Sequence, residues 1–66
     1  MQKLKMLRKI KGLKQKDVAK ELKVSIKTVS NYENGNRKLP ITYVSKLAKL
    51  YEVDIKDIVQ IAEEGN

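Results

Sequence analysis

Cysteine, histidine, tryptophan and phenylalanine are all absent from this chain of 66 residues. Without thiols or imidazoles there is no disulfide framework, thiolate nucleophile, zinc-finger ligand set or histidine general acid–base. Glycine occurs three times and proline once, too sparsely for a glycine-rich phosphate cradle. With no activated nucleophile or base in sight, the chain reads as a non-enzyme that needs neither cofactor nor metal. Apolar residues never run more than two in succession, so the sequence predicts no membrane span and no signal-peptide core.

What is abundant is positive charge. Fifteen Lys and Arg face eight Asp and Glu, a formal net charge of +7. The excess is confined to one half: residues 1–33 hold ten cations against Asp17, Glu21 and Glu33, whereas residues 34–66 hold five of each sign. Such asymmetry points to one polyanion-facing side and one neutral side, although lysines can also serve solubility alone. A basic helix lying on a membrane surface would carry Trp or Phe on its apolar face, and this chain has neither. The 41% apolar content is too high for a disordered basic tail. A chain this short buries roughly 60% of its unfolded surface around one core. The expectation is a small, basic, cytoplasmic domain spanning residues 1–66.

Apolar spacing is helical throughout. Leu4, Leu7 and Ile10, with Met6 beside them, mark a first helix over about 2–11, stopped by Gly12. Val18, Ala19 and Leu22 define a second over about 15–22. Lys23-Val24 forms a tight connection, and Ser25 is a good N-cap for a third helix over about 26–33. Within that helix Val29 points inward, and Lys27, Ser30 and Asn31 point outward. Asn34-Gly35-Asn36 signals a stop and turn, followed by a polar loop closing on Pro40. Val44, Leu47, Ala48 and Tyr51 predict a fourth helix over about 41–51. Asp54 is the expected N-cap of a fifth over about 55–62, and residues 63–66 are expected to fray. Tyr32, Tyr43 and Tyr51, spread over helices, read as packing residues rather than a stacking platform for single strands. No segment alternates as a strand.

The stretch from Gln15 to Glu33 is the informative one. Ala19 supplies the small side chain that two closely crossing helices need, and Val24 and Val29 bury one residue in the turn and one in the next helix. The chain resembles the helix-turn-helix domain of lambdoid phage repressors and Cro proteins, the Cro/C1-type or XRE family. The resemblance rests on Leu4-x-x-Leu7-Arg8, Gly12-Leu13-x-Gln15, Val18-Ala19, Leu22-x-Val24-Ser25, Thr28-Val29-Ser30, Tyr32-Glu33-Asn34-Gly35, Arg37 and Leu47-Ala48-Lys49, and covers about residues 3–60. It implies an all-α, five-helix, lambda-repressor-like domain that binds operator DNA through helices 2 and 3, in a bacterial or phage-encoded regulator.

Two positions depart from the family pattern. Lys14 stands where the family commonly has Thr, Ser or Asn before the second helix. A missing N-cap costs about 1 kcal/mol, and a lysine there also opposes the helix dipole; a phosphate at that point would offset both. Lys23 replaces the usual turn glycine and would need a left-handed backbone costing roughly 1–2 kcal/mol.

Carried over residue by residue, the resemblance implies that Ile26, Lys27, Ser30 and Asn31 face base edges. Lys27 suits guanine O6/N7, Asn31 suits adenine N6/N7, and Ile26 can offer a thymine methyl only apolar contact. The alternative for Ile26 is a core residue, and for Ser30 mere tolerance of a small residue near DNA. Lys14, Gln15, Ser25, Thr28, Asn34, Arg37 and Lys38 are the implied phosphate contacts; Gln15 begins a helix whose free N–H groups favour an anion. Asn34 serves turn geometry equally well. Arg8 and Glu33 match a partly buried ion pair of the family, a device for geometry more than net stability.

Operators of this type are usually palindromic, with half-sites roughly 34 Å apart read by two copies. Ile55, Ile58, Val59 and Ile61 give the fifth helix more apolar residues than a terminal helix needs, so residues 52–64 are the expected homodimer surface. The expected function is a transcriptional repressor of double-stranded DNA. The alternative is an antitoxin or accessory modulator whose main contact is another protein.

Overall fold

The computed structural model describes residues 2–64. The order of elements is α1 (Gln2–Ile10), α2 (Gln15–Leu22), α3 (Ile26–Asn34), α4 (Ile41–Tyr51) and α5 (Ile55–Glu64), with no strand among the described residues. This is the expected all-α, five-helix order. The fifth helix continues through Glu63 and Glu64, where fraying was expected; Gly65 and Asn66, the rest of that expectation, lie outside the described residues.

α1 to α4 all close their C-termini in the same way. A residue with positive φ follows the helix: Gly12 at 69°, Lys23 at 59°, Gly35 at 77° and Glu52 at 58°. The N–H groups of that residue and its successor return to helix carbonyls. Gly12 N–H donates to Lys9 O at 2.9 Å and Leu13 N–H to Arg8 O at 3.2 Å; Val24 N–H reaches Ala19 O at 3.0 Å and Val53 N–H reaches Ala48 O at 2.9 Å. These closures satisfy carbonyls that a helix end leaves orphaned. Gly12 and Gly35 adopt the left-handed backbone freely, whereas Lys23 and Glu52 do so against their Cβ atoms. Lys23 is left-handed as the sequence predicts; for Glu52 the sequence carries no such signal.

α2 packs on α3 and α4 on α5, while α1 bridges α3 and α5. Leu4, Val18, Ala19, Leu22, Val29, Tyr32, Val44, Leu47, Ala48, Tyr51 and Ile58 meet in one core, joined by Leu39 and Ile61. Leu39 corrects the reading of residues 36–40 as a purely polar loop: it is 6% exposed, anchoring the segment between α3 and α4. The Tyr32 and Tyr43 rings lie 6.2 Å apart, tilted by 58°, within the range of a favourable aromatic pair that ties α3 to α4.

The first helix departs most from its expected face. Leu4 is buried and Leu7 half-buried, but Met6 is 59% and Ile10 70% exposed, and Arg8 occupies the inward position instead. Arg8 and Leu4 are one turn apart on the side that meets α3, whereas Met6 and Ile10, two positions either side of Arg8, lie about 160° around the helix. Burying Arg8 turns them outward.

Candidate nucleic-acid interface

α2 and α3 meet through a three-residue connection, Lys23 to Ser25. Lys23 reverses the chain, half-buried Val24 packs against the core, and Ser25 starts the next helix. Ser25 Oγ accepts from Thr28 N–H at 3.1 Å and lies 2.9 Å from Thr28 Oγ1, so both hydroxyls serve the helix cap in the free protein. At the start of α2 the cap comes from the other direction: Lys14 N–H donates to Asp17 Oδ2 at 2.8 Å. This is the reciprocal half of a capping box, and Asp17 places an anion in the first turn, where the dipole favours it. The cap expected to be missing at Lys14 is thus partly replaced from within the helix.

Val29, Tyr32 and Glu33 form the buried side of α3. Lys27, Asn31 and Asn34 follow one another at i, i+4 and i+7 on the opposite side, with Lys27 and Asn34 exposed and Asn31 half-buried. Ser30 is half-buried beside them and accepts from Asn34 Nδ2 at 3.3 Å. Ile26, at the helix start, is 51% exposed and outside the core cluster. With side chains, an α-helix such as α3 is about 10–12 Å across, which a B-DNA major groove about 12 Å wide admits. Lys14 lies exposed before α2, and Arg37 and Lys38 lie exposed after α3. Exposed cations thus precede α2 and follow α3 along the chain, and the only acid of α3, Glu33, lies on its buried side.

Glu33 is 2% and Arg8 7% exposed. Arg8 Nε donates to Glu33 Oε2 at 2.6 Å and its Nη2 to Oε1 at 3.3 Å, while its Nη1 donates to the Leu13 carbonyl at 2.9 Å. Gln15 Nε2 also donates to Glu33 Oε1, at 3.0 Å. One bidentate pair therefore fixes α1, the loop before α2, the first residue of α2 and the last turn of α3 to one another. Gln15, the implied phosphate contact, is half-buried with its amide nitrogen committed to this network. The sequence offered no sign of that commitment, which depends on a carboxylate 18 residues away. Tyr51 lies within the same electrostatic environment: burial first, and the Glu33 charge second, hold its phenol well above the ordinary range, with Arg8 pulling the other way. Just past the end of α1, Lys11 pairs with Glu52 and holds that carboxylate below its ordinary range.

The four apolar residues expected on a shared surface of α5 divide. Ile58 is fully buried in the chain's own core and Ile61, 8% exposed, packs there too, reaching the surface only as lining of a hollow beside α1; Ile55 is 53% exposed and Val59 half-buried. Ile55, Val59 and half-buried Ala62 line up at i, i+4 and i+7. Ile41, 77% exposed, borders a hollow of about 470 Å³ with Leu39, Val44, Val59 and Ala62.

Among known proteins, the helix-turn-helix family model matches residues 4–58 of the chain. Comparison with curated proteins and with solved structures finds no match. No helix among the described residues is long and apolar enough to cross a membrane. The matched span takes in α1 from Leu4 onward, α2 to α4 and the first four residues of α5, with the paired α2–α3 unit and its outward polar stripe inside it, and the chain belongs to the Cro/C1-type (XRE) helix-turn-helix family of DNA-binding transcription regulators.

Proposed function

We propose that the chain is a cytoplasmic transcriptional repressor that binds a palindromic operator as a homodimer, laying α3 of each copy in the major groove. The observation that carries this reading is the outward stripe of α3: polar, with Lys27 as its cation and no acid, and followed by the exposed Arg37 and Lys38. Lys27 and Asn31 are the base readers, for guanine and adenine respectively. Ile26, at the helix start, offers apolar contact to a thymine methyl, and Ser30 lies close enough to a base edge to contribute. Lys14, Ser25, Thr28, Asn34, Arg37 and Lys38 position the duplex through phosphates. Gln15 joins them through the free N–H groups of the α2 N-terminus, its side-chain amide being held by Glu33.

The homodimer surface is the strip of Ile55, Val59 and Ala62 with Ile41. An isologous contact there would cover the exposed isoleucines of both copies at once. The second reading, an antitoxin or accessory modulator acting chiefly on another protein, is favoured by the exposed apolar pair of α1, Met6 and Ile10.

Selection of bound sequences from a random duplex library at two salt concentrations tests the main reading. The expected result is a dyad-symmetric motif with two chains per duplex in sedimentation. Arg37→Ala with Lys38→Ala should weaken all sequences alike and flatten the log K–log[salt] slope by roughly 2. Lys27→Ala should relax preference at one position, at a cost of about 1–3 kcal/mol. Salt-sensitive binding with no enriched motif would refute sequence-specific repression.

A further inference from the structure

We propose that the outer face of α1 is a docking site for an acidic amphipathic helix of a partner protein. This deepens the reading of the chain as a protein-binding regulator and does not depend on which operator it reads. Met6 and Ile10 lie one turn apart on the face of α1 turned away from Arg8 and the core, and they are 59% and 70% exposed. Lys5 and Lys9 run along one edge of this pair and line a shallow hollow with it. Along the other edge, an open hollow of about 430 Å³ lies between α1 and α5, with Met6, Leu7, Val53 and Ile61 as its apolar lining and Asp57 and Gln60 at its rim.

The chemistry of the patch selects its occupant. The DNA backbone would satisfy the lysines but offers no apolar stripe to the methionine and isoleucine beside them, and the thymine methyls lie in the groove assigned to α3. A second copy of this chain would cover the apolar pair but bring its own Lys5 and Lys9 against the first set, because a two-fold contact is self-complementary and both copies carry +7. A helix with an apolar stripe and acidic flanks satisfies both features. One of its apolar side chains enters the α1–α5 hollow, its neighbours cover Met6 and Ile10, and its carboxylates meet Lys5 and Lys9. Methionine suits such a surface because its unbranched side chain repacks around different partners.

The test uses the full chain, isotopically labelled for NMR, titrated with a synthetic acidic peptide of about 15 residues. That length is enough for helix formation; Leu is placed at i, i+3, i+4 and i+7, with Glu between. A shuffled peptide of the same composition, a peptide with Lys in place of every Glu, and vesicles of phosphatidylglycerol and phosphatidylcholine are run in parallel. Saturable binding that moves the signals of Met6, Lys9, Ile10 and Gln60, and is at least about tenfold tighter than for either control peptide, is the expected result. Met6→Glu with Ile10→Glu should weaken the acidic peptide by a similar factor, with helix content and duplex-DNA binding unchanged. Lys5→Glu with Lys9→Glu should transfer the preference to the lysine peptide.

Equal binding of the shuffled peptide would reduce the site to bulk charge and overturn the proposal. So would vesicle adsorption through Met6 and Ile10 without peptide binding, or loss of duplex binding in the folded Met6→Glu, Ile10→Glu variant, which would assign the face to DNA. Failure to bind any duplex with the peptide site intact would instead count against the operator-binding reading alone.

Discussion

Glu33→Ala removes the acceptor that joins Arg8 and Gln15, and it leaves a guanidinium that is 7% exposed without its counter-ion. Two charge-assisted hydrogen bonds from Arg8, at 2.6 and 3.3 Å, disappear, together with that from Gln15. Breaking one side of a buried pair costs about 3–5 kcal/mol, most of it the penalty of the orphaned charge. A chain of this length has a total stability of only about 3–10 kcal/mol, so the loss is comparable with the whole. At roughly 4–8 °C per kcal/mol, the midpoint of thermal unfolding should fall by at least about 12 °C, read by far-UV circular dichroism alongside urea titration. Replacing both partners with apolar residues, Arg8→Met with Glu33→Leu, should recover most of that loss, because no buried charge is then stranded. The double variant should still bind operator DNA less well than the parent at a temperature where both are folded, since α1, Gln15 and α3 would no longer be held in one register. A Glu33→Ala variant within about 0.5 kcal/mol of the parent, a difference typical of exposed surface positions, would refute the reasoning. So would a double variant as unstable as the single one.

Two further outcomes are expected. Lys23→Gly should stabilise the chain by about 1 kcal/mol, because it relieves a left-handed backbone at φ 59°; a loss of stability in urea titration would mean that the lysine side chain outweighs the strain. The raised Tyr51 phenol means that the folded state holds its proton more tightly than the unfolded chain does. Its contribution is therefore complete below the unfolded value of about 10 and is lost as pH rises above it. Tyr51→Phe should show a shallower loss of stability than the parent above pH ~10, and identical slopes would exclude the phenol as the cause.

Much of the helical layout was legible along the chain because its signals are local. Gly12, Ser25, the Asn34-Gly35 pair and Pro40 each act on a turn or cap through backbone geometry within a few residues, and they mark the end of α1, both ends of α3 and the start of α4. The outward stripe of α3 was legible too, since Lys27 and Asn31 stand opposite Val29 and Tyr32 by spacing alone. Glu52 had no such signal: nothing in its side chain favours positive φ, and it becomes left-handed because α4 must turn there for α5 to pack. Asp17 carries a local signal as an N3 acid able to accept from the Lys14 N–H.

Residue type and periodicity carried the two helices packed across a tight turn, which depend on neighbours within about two turns, and composition carried the confinement of positive charge to the first half; the candidate groups that would face DNA came from the family resemblance. Tertiary packing decided which side of each helix is buried. The apolar residues of α1 span more than one stripe, and only the positions of α3 and α5 turn Leu4 and Arg8 inward and leave Met6 and Ile10 outside. The same packing takes Ile58, Ile61 and Leu39 into the core and commits the Gln15 amide to Glu33. Hydropathy ranks side chains by their cost in water, but which of several apolar side chains escapes water is settled by the partner surface, and that surface comes from residues far away in the chain.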